Sequence, residues 1–239
     1  MNLKHKLSKT INRPLNSTKA YNLWAHTYDS DDDNLVFKFD NEILDSFLND
    51  LNLFGKIILD YGCGTGRNWQ RLLNHQPKKI IGCDSSGNML TKLKNKFPGA
   101  ETYLINGEFP SFNLKPCDLI ISTLVAAQVK NMEKLLAYWA NLLKQDGKII
   151  ITDLHPAILS AGGKRTFIVN GKTREVKNYI HTIEDIEKIC TDLNLKIIQK
   201  MGKNVTEEVK GFYARKNALH VYEKFKGLPL VYGLKIKHV

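Results

Sequence analysis

No apolar run in this 239-residue chain approaches the ~20 residues that a membrane-crossing helix needs. No two cysteines are spaced as CxxC. The four, at 63, 83, 117 and 190, are scattered, which argues against a disulfide or zinc framework and for reduced thiols in a cytoplasmic protein. Internal repeats and low-complexity linkers are absent, and the length suits one α/β domain with embellishments. The first 28 residues hold no carboxylate but do hold Lys4, Lys6, Lys9, Arg13 and Lys19. They lack both the arginine content of a transit peptide and the apolar core of a secretion signal, so a mobile basic N-terminus is expected over residues 1–18. Arginine-rich runs and aromatic RNA-binding motifs are missing as well. What is present is a net charge of +11, unevenly placed: from Lys164 onward 16 Lys/Arg face 8 Asp/Glu, against 19 and 16 before it. Lysines on solvated faces account for this, and a nucleic-acid or anionic substrate on the basic third is the alternative.

The stretch KIILDYGCGTGRNWQR, from Lys56 to Arg71, carries the most chemistry. Ile57, Ile58 and Leu59 form an apolar run ending in Asp60. Gly62, Gly64 and Gly66 follow at alternate positions, and Arg67 to Leu73 reads as a helix with Trp69, Leu72 and Leu73 on its apolar side. The physical content is a buried strand, a glycine turn and a helix N-terminus. Glycine permits a tight turn and close approach of a ligand, and the free N–H groups of a first helical turn favour an electronegative group. A P-loop would need a Gly-Lys-Ser/Thr run that does not follow Gly62. A dinucleotide fingerprint would need glycine at 67, where Arg67 stands.

Downstream, Lys79 to Cys83 reads as a second buried strand ending in Asp84. An acid at that tip can accept hydrogen bonds from ribose hydroxyls, which supports a nucleoside cofactor without choosing its kind. Ser85 to Phe97 reads as a helix, Glu101 to Ile105 as a third strand and Asp118 to Ser122 as a fourth. Asn131 to Leu143 follows as a helix, Gln145-Asp146-Gly147 as a turn and Lys148 to Thr152 as a fifth strand. Upstream, Tyr21, Trp24 and Tyr28 share one face of a helix over Ala20 to Tyr28, and Glu42 to Leu53 is amphipathic. Asp29, Asp31, Asp32 and Asp33 lack the His or glycine-turn pattern that fixes ligand geometry, so a solvated loop and no metal are expected. Arg165 to Val169 and Lys172 to Val176 flank Asn170-Gly171, a hairpin signal. Thr182-x-x-Asp185 is a variant capping box opening a helix through Cys190. Leu195 to Gln199 reads as a sixth strand, Ala214 to Phe225 as a helix and Leu230 to Val239 as a last, antiparallel strand.

The pattern Asp60-x-Gly62-x-Gly64-x-Gly66, with the spaced Asp84 and the run LLKQDGKIIITDLHP, resembles the class I S-adenosylmethionine (SAM) dependent methyltransferases over roughly Tyr21 to Lys200. The likeness is to the small-molecule type found in ubiquinone and menaquinone biosynthesis. It implies an α/β fold, a doubly wound Rossmann-like seven-stranded sheet with an antiparallel last strand. It also implies one domain over 19–239, with a helical cap (19–55) and a hairpin lid (164–180). SAM would be the cofactor and S-adenosylhomocysteine the product. Gly62, Cys63, Gly64 and Gly66 would wrap the methionine part, with Asp60 near its amino end. Asp84 would hold the ribose, and Ser85, Met89, Asn106, Gly107 and Glu108 would lie toward the adenine. Tyr21 of the cap and Ser122 and Thr123 at the end of the fourth strand complete the expected cofactor set. Asn106 stands where Asp is expected, and Gln128 where relatives often carry His; an amide cannot act as acid or base.

Methyl transfer to oxygen, nitrogen or carbon of a small molecule is the favoured expectation, because a cap and a hairpin lid would enclose a modest acceptor. Tyr28, His155 and His181 are the candidate catalytic residues. Histidine accepts a proton near neutrality, and Pro156 restricts His155 to an extended backbone. The alternative for either histidine is a hydrogen bond to a loop carbonyl. Other functional readings are a tRNA or rRNA methyltransferase, a SAM-binding protein without catalysis, and an NAD(P)-dependent oxidoreductase. Arg67 and the antiparallel last strand count against the oxidoreductase.

Overall fold

The computed structural model describes residues 13–30, 33–107, 109–110 and 114–239. Residues 1–12, Asp31, Asp32 and Glu108, for which expectations are stated above, lie outside the described residues. The strands are β1 (Ile57–Tyr61), β2 (Lys79–Asp84), β3 (Glu101–Leu104), β4 (Cys117–Thr123), β5 (Leu143–Leu154), β6 (Thr166–Val169), β7 (Lys172–Glu175), β8 (Leu195–Asn204) and β9 (Pro229–His238). Seven of them form one sheet in the order β3-β2-β1-β4-β5-β9-β8. β1 to β5 pair in parallel, and β9 runs antiparallel to both β5 and β8. This is the doubly wound sheet with an antiparallel last strand expected from the sequence.

Successive strand residues face opposite sides, and each side buries its own core. Ile58, Leu119, Ile121 and Ile150 belong to one cluster, and Leu59, Ile120, Ile149 and Ile151 to the other. Helices α1 (Ser17–Trp24) and α2 (Leu35–Asn49) precede the sheet. The helices α3 (Trp69–Leu73), α4 (Gly87–Lys96), α5 (Met132–Leu142), α6 (Pro156–Ser160) and α7 (Ile183–Asp192) follow along the chain. Then α8 (Lys210–Arg215) and α9 (Leu219–Phe225) lie between β8 and β9. α2 packs directly on β9 at Gly233, where a Cβ would sit 2.4 Å from Ile43 Cγ2 and 2.8 Å from Phe47 Cε2.

Several boundaries differ from the sequence reading, each for a local reason. α1 starts at Ser17 because Asn16 caps it, its Oδ1 accepting from Lys19 N–H at 2.9 Å. It ends at Trp24, and Tyr28 opens a separate 3-10 turn; the rings still meet, with Trp24 and Tyr28 centroids 5.0 Å apart. Leu15 bridges Val176 and donates from its N–H to Glu175 C=O at 2.8 Å, so residue 15 already packs on the hairpin. α2 begins at Leu35, not Glu42, because Asn34 Oδ1 accepts from the N–H groups of Val36 and Phe37. β5 begins at Leu143, and the expected Gln145-Asp146-Gly147 turn is absorbed as a bulge, with Cys117 opposite Leu143 but Leu119 opposite Lys148. The helix expected over Ala214 to Phe225 is broken into α8 and α9 by Asn217, whose φ is 53°. β8 reaches Asn204 because β9 pairs with it along that length. The hairpin and the Thr182–Asp185 capping box form as expected.

Candidate active site

In an open α/β sheet, ligands bind beyond the strand C-termini where the strand order reverses. Here the order reverses between β1 and β4, and a cleft opens there. Gly62 and Gly64 line it with Asp84, Ser85, Met89, Gly107 and Thr123, and Tyr21 and Tyr28 close it from the cap. The glycines play unequal parts. Gly62 has φ 76°, and a Cβ on it would lie 2.2 Å from Val125 Cγ2, so only glycine fits. Gly64 has φ 53° with nothing within 4 Å of a Cβ position, which leaves its face open for a ligand. Gly66 does not line the cleft; its Cβ position lies 3.0 Å from Leu93, and it serves the packing of α4 against the turn.

Asp84 sits at the tip of β2. Its Oδ2 accepts from Gly64 N–H and its Oδ1 from Ser86 N–H, both at 2.8 Å. Burial raises its pKa, and these N–H groups pull it back down. Each oxygen retains capacity for a further hydrogen bond, as a ribose diol requires. Asp60, by contrast, does not line the cleft: it is buried within β1 and accepts from Trp69 Nε1 at 3.0 Å. The Cys63 thiol packs against Gly82 in the core, and burial raises its pKa well above that of an ordinary thiol. Ser122 is committed to Tyr61 C=O at 3.0 Å, whereas Thr123 reaches the cleft and accepts from Asn68 Nδ2 at 3.0 Å. Asn106 is not among the lining residues, although its neighbours Ile105 and Gly107 are.

A second cavity of about 210 Å³ adjoins the cleft. Tyr21, Tyr28 and Leu124 line both, so they form the wall between them. The rest of its lining is mostly apolar: Trp24 and Phe37 from the cap side, Leu154 at the end of β5, Ile158 of α6, Tyr213 and Phe225 from α8 and α9, and Arg165 from the hairpin. Phe167 of β6 stacks on Trp24 with centroids 5.1 Å apart, which docks the hairpin on α1. Arg165 is 8% exposed. Its guanidinium pairs with Asp153, donates to Leu124 C=O, and donates to Tyr21 OH at 2.9 Å. Burial alone would depress the Arg165 pKa, but Tyr21 and Asp153 hold the group firmly charged. The charge is thereby neutralised at the cavity wall.

The structure does not bring the two histidines to either cavity. His155 caps α6, its Nδ1 accepting from Ala157 N–H at 3.1 Å, and burial lowers its pKa. His181 Nε2 meets Val129 C=O at 2.8 Å. Tyr28 does reach both cavities, but burial raises its pKa and keeps its hydroxyl neutral near pH 7. Asp29, expected as a solvated residue, accepts from Thr65 Oγ1 at 2.6 Å and pairs with Lys96 at 3.0 Å. Sequence reasoning missed Val125, Gln128 and Arg165. No local pattern marks them, although Gln128 stands at a position singled out for lacking histidine.

The cleft fits the cofactor that the motif implies. It offers a cradle at Gly64 that a Cβ would fill, and a carboxylate with free acceptor capacity at the tip of β2. Residues 59–151 match the family model described as a methyltransferase domain. An uncharacterized methyltransferase from Geobacillus sp. (strain WCH70) is 31% identical over 141 residues, which cover 54% of this chain and 63% of that protein. The match thus spans less than two thirds of the relative's own length. A SAM-dependent methyltransferase structure from Clostridium acetobutylicum superposes with a TM-score of 0.65 at 21% identity, covering 91% of this chain and 98% of that one. The 4+2 cyclase SpnF superposes equally well, with a TM-score of 0.64 at 13% identity over 92% of this chain and 95% of that one. The superpositions show the fold, and within it residues 59–151 carry the match to the methyltransferase-domain model.

Proposed function

We propose that the chain transfers the methyl group of SAM to a small, largely apolar acceptor held in the cavity between the cap, the hairpin and α8–α9. One observation carries this reading. A cleft lined by the glycine loop and Asp84 shares the wall Tyr21, Tyr28 and Leu124 with an aromatic-lined cavity. Methyl transfer needs two ligands meeting at one point, and this wall is where their chambers meet.

SAM supplies an electrophilic methyl group on sulfonium, so the protein's task is alignment and exclusion of water. The Gly62–Gly64 backbone and Asp84 would fix the cofactor. Trp24, Phe37 and Phe225 would hold the acceptor by its apolar faces. Arg165 is neutralised by Asp153, and Lys164, which also lines the cavity, pairs with Glu175 at 2.6 Å, so both charges are already met. Among the described residues lining the acceptor cavity there is no carboxylate and no imidazole. The reading therefore favours an acceptor whose nucleophilic lone pair is available near neutrality, with Tyr21 and Tyr28 acting as neutral hydroxyls.

The test has two stages. A thermal shift with S-adenosylhomocysteine and with NAD separates the cofactor classes, and stabilisation by NAD alone would sink the reading. Asp84→Ala should weaken S-adenosylhomocysteine binding by ~1.5–3 kcal/mol, the scale of hydrogen bonds to a charged group. Incubation with SAM and panels of neutral aromatic thiols, amines and phenols should then yield S-adenosylhomocysteine and a methylated product by mass spectrometry.

A further inference from the structure

Gln128 ends the short 3-10 turn Ala126–Gln128 after β4 and lines the cofactor cleft. The two ends of its amide are in different situations. Nε2 donates to Asn178 Oδ1 at 3.0 Å, while Oε1 is shielded from solvent and has no hydrogen-bond partner. The neighbours dictate this orientation. Val176 C=O can only accept, so the end of Asn178 that meets it at 3.1 Å must be the NH2 group. Asn178 Oδ1 therefore faces Gln128 and calls for the glutamine NH2. The acceptor end of Gln128 is left over.

The backbone holds this arrangement in place. Tyr179 N–H donates to Ala127 C=O at 2.7 Å, and Ala127 N–H donates to Asp153 Oδ2 at 2.7 Å. A shielded acceptor with no donor is unfavourable, and a ligand that brings a donor removes that penalty. The sheet order says which part of the ligand this is. Asp84, at the tip of β2, is the ribose position. Gly107 follows β3 on one side of it, and Gln128 follows β4 on the other. The β4 side also carries Leu124, part of the wall shared with the acceptor cavity, and the methyl-bearing end of the cofactor must lie at that wall. The donor on that end is the α-ammonium of the methionyl group.

We propose that Gln128 is a cofactor-binding residue whose Oε1 accepts a hydrogen bond from the α-ammonium of the bound cofactor, while Asn178, on the return from the hairpin, fixes the amide. The proposal rests on the cofactor assignment above and gives position 128 a positioning role in place of acid–base chemistry.

Calorimetry on the full chain tests it with two ligands: S-adenosylhomocysteine and 5′-methylthioadenosine, which keeps the nucleoside and lacks the amino-acid end. Gln128→Met, close in volume but without the acceptor, should weaken S-adenosylhomocysteine binding roughly tenfold or more while leaving methylthioadenosine within about twofold. Gln128→Asn, which draws the amide back by one methylene, should give the same split and guards against a folding defect in the first variant. Equal losses for both ligands would place the donor on the nucleoside and overturn the assignment to the ammonium. Unchanged S-adenosylhomocysteine affinity in folded variants would overturn the proposal as a whole. A wild-type chain that binds neither ligand would instead overturn the cofactor reading itself.

Discussion

Burial raises the Asp60 carboxyl to about 7, against the opposing pull of the Trp69 indole N–H that donates to it. The native state thus keeps a proton that the unfolded chain releases near pH 4. Its contribution to stability is full below about pH 4 and is lost as pH rises through about 7. The ligand-free protein should therefore be less stable at pH 8 than at pH 5, by roughly 2–4 kcal/mol from this group. Asp60→Asn keeps an acceptor for Trp69 and should flatten that slope. Urea unfolding of both proteins at the two pH values checks it; parallel slopes would show that Asp60 is ionised in the native state. The glycines offer a second residue-scale contrast. Gly62→Ala meets both a positive φ and Val125 at 2.2 Å, whereas Gly64→Ala meets only the positive φ. Gly62→Ala should destabilise by ~1–3 kcal/mol more than Gly64→Ala, as overpacking does, and Gly64→Ala should be the one that mainly impairs cofactor binding. Equal unfolding midpoints would refute the packing role assigned to Gly62. In the sequence the two positions are equivalent members of one motif, and only Val125, in the turn after β4, distinguishes them.

At the scale of elements, the hairpin was legible because Asn170-Gly171 supplies the positive φ angles, 50° and 69°, that a two-residue turn demands. Its docking was not legible. Phe167 is buried against Trp24, and Val176 bridges Leu15, so the hairpin and the α1 segment pack on one another. Phe167→Ala should loosen both partners together. Hydrogen exchange measured by mass spectrometry is expected to speed up over residues 166–175 and 17–24 by roughly tenfold or more, with β1, β4 and β5 unchanged. Loss of a buried aromatic, worth about 3–5 kcal/mol in a core, acts here on a local opening step. Acceleration confined to the hairpin would separate it from the cap and weaken the case for a shared lid. The cap boundaries themselves escaped the sequence reading because Asn16 and Asn34 start helices by side-chain capping. Asparagine is as common in turns as at N-caps.

Over the whole molecule, six of the lysines in the basic last third are drawn into ion pairs. Lys164 pairs with Glu175, Lys200 with Glu187, Lys203 with Glu42, Lys210 with Glu207, Lys226 with Glu223 and Lys235 with Asp50. Such surface pairs stabilise little, but each puts a carboxylate beside a lysine that a phosphate would otherwise meet. The protein is expected to pass an RNA affinity column at physiological salt and to be retained only at low salt. Retention at physiological salt would revive a tRNA or rRNA acceptor.

The architecture follows from the sequence alone: the parallel strands, the glycine turn after β1, Asp84 at the tip of β2 and the antiparallel last strand. These depend on short-range regularities. Apolar runs of strand length, glycines at alternate positions and an Asn-Gly turn act over a few residues and survive whatever surrounds them. The site depends on residues from distant parts of the chain, and only the tertiary structure brings them together. Asp60 and Cys63 sit inside the motif yet face the core, because the strand end and the loop must be packed from below. His155 and His181, the residues with the right chemistry, are held by a cap and a carbonyl. Arg165 joins Tyr21, Leu124 and Asp153 across 144, 41 and 12 residues, and Gln128 joins Asn178 across 50. Those partners are chosen by packing and by the need to satisfy buried polar groups, conditions that no local pattern in the sequence records.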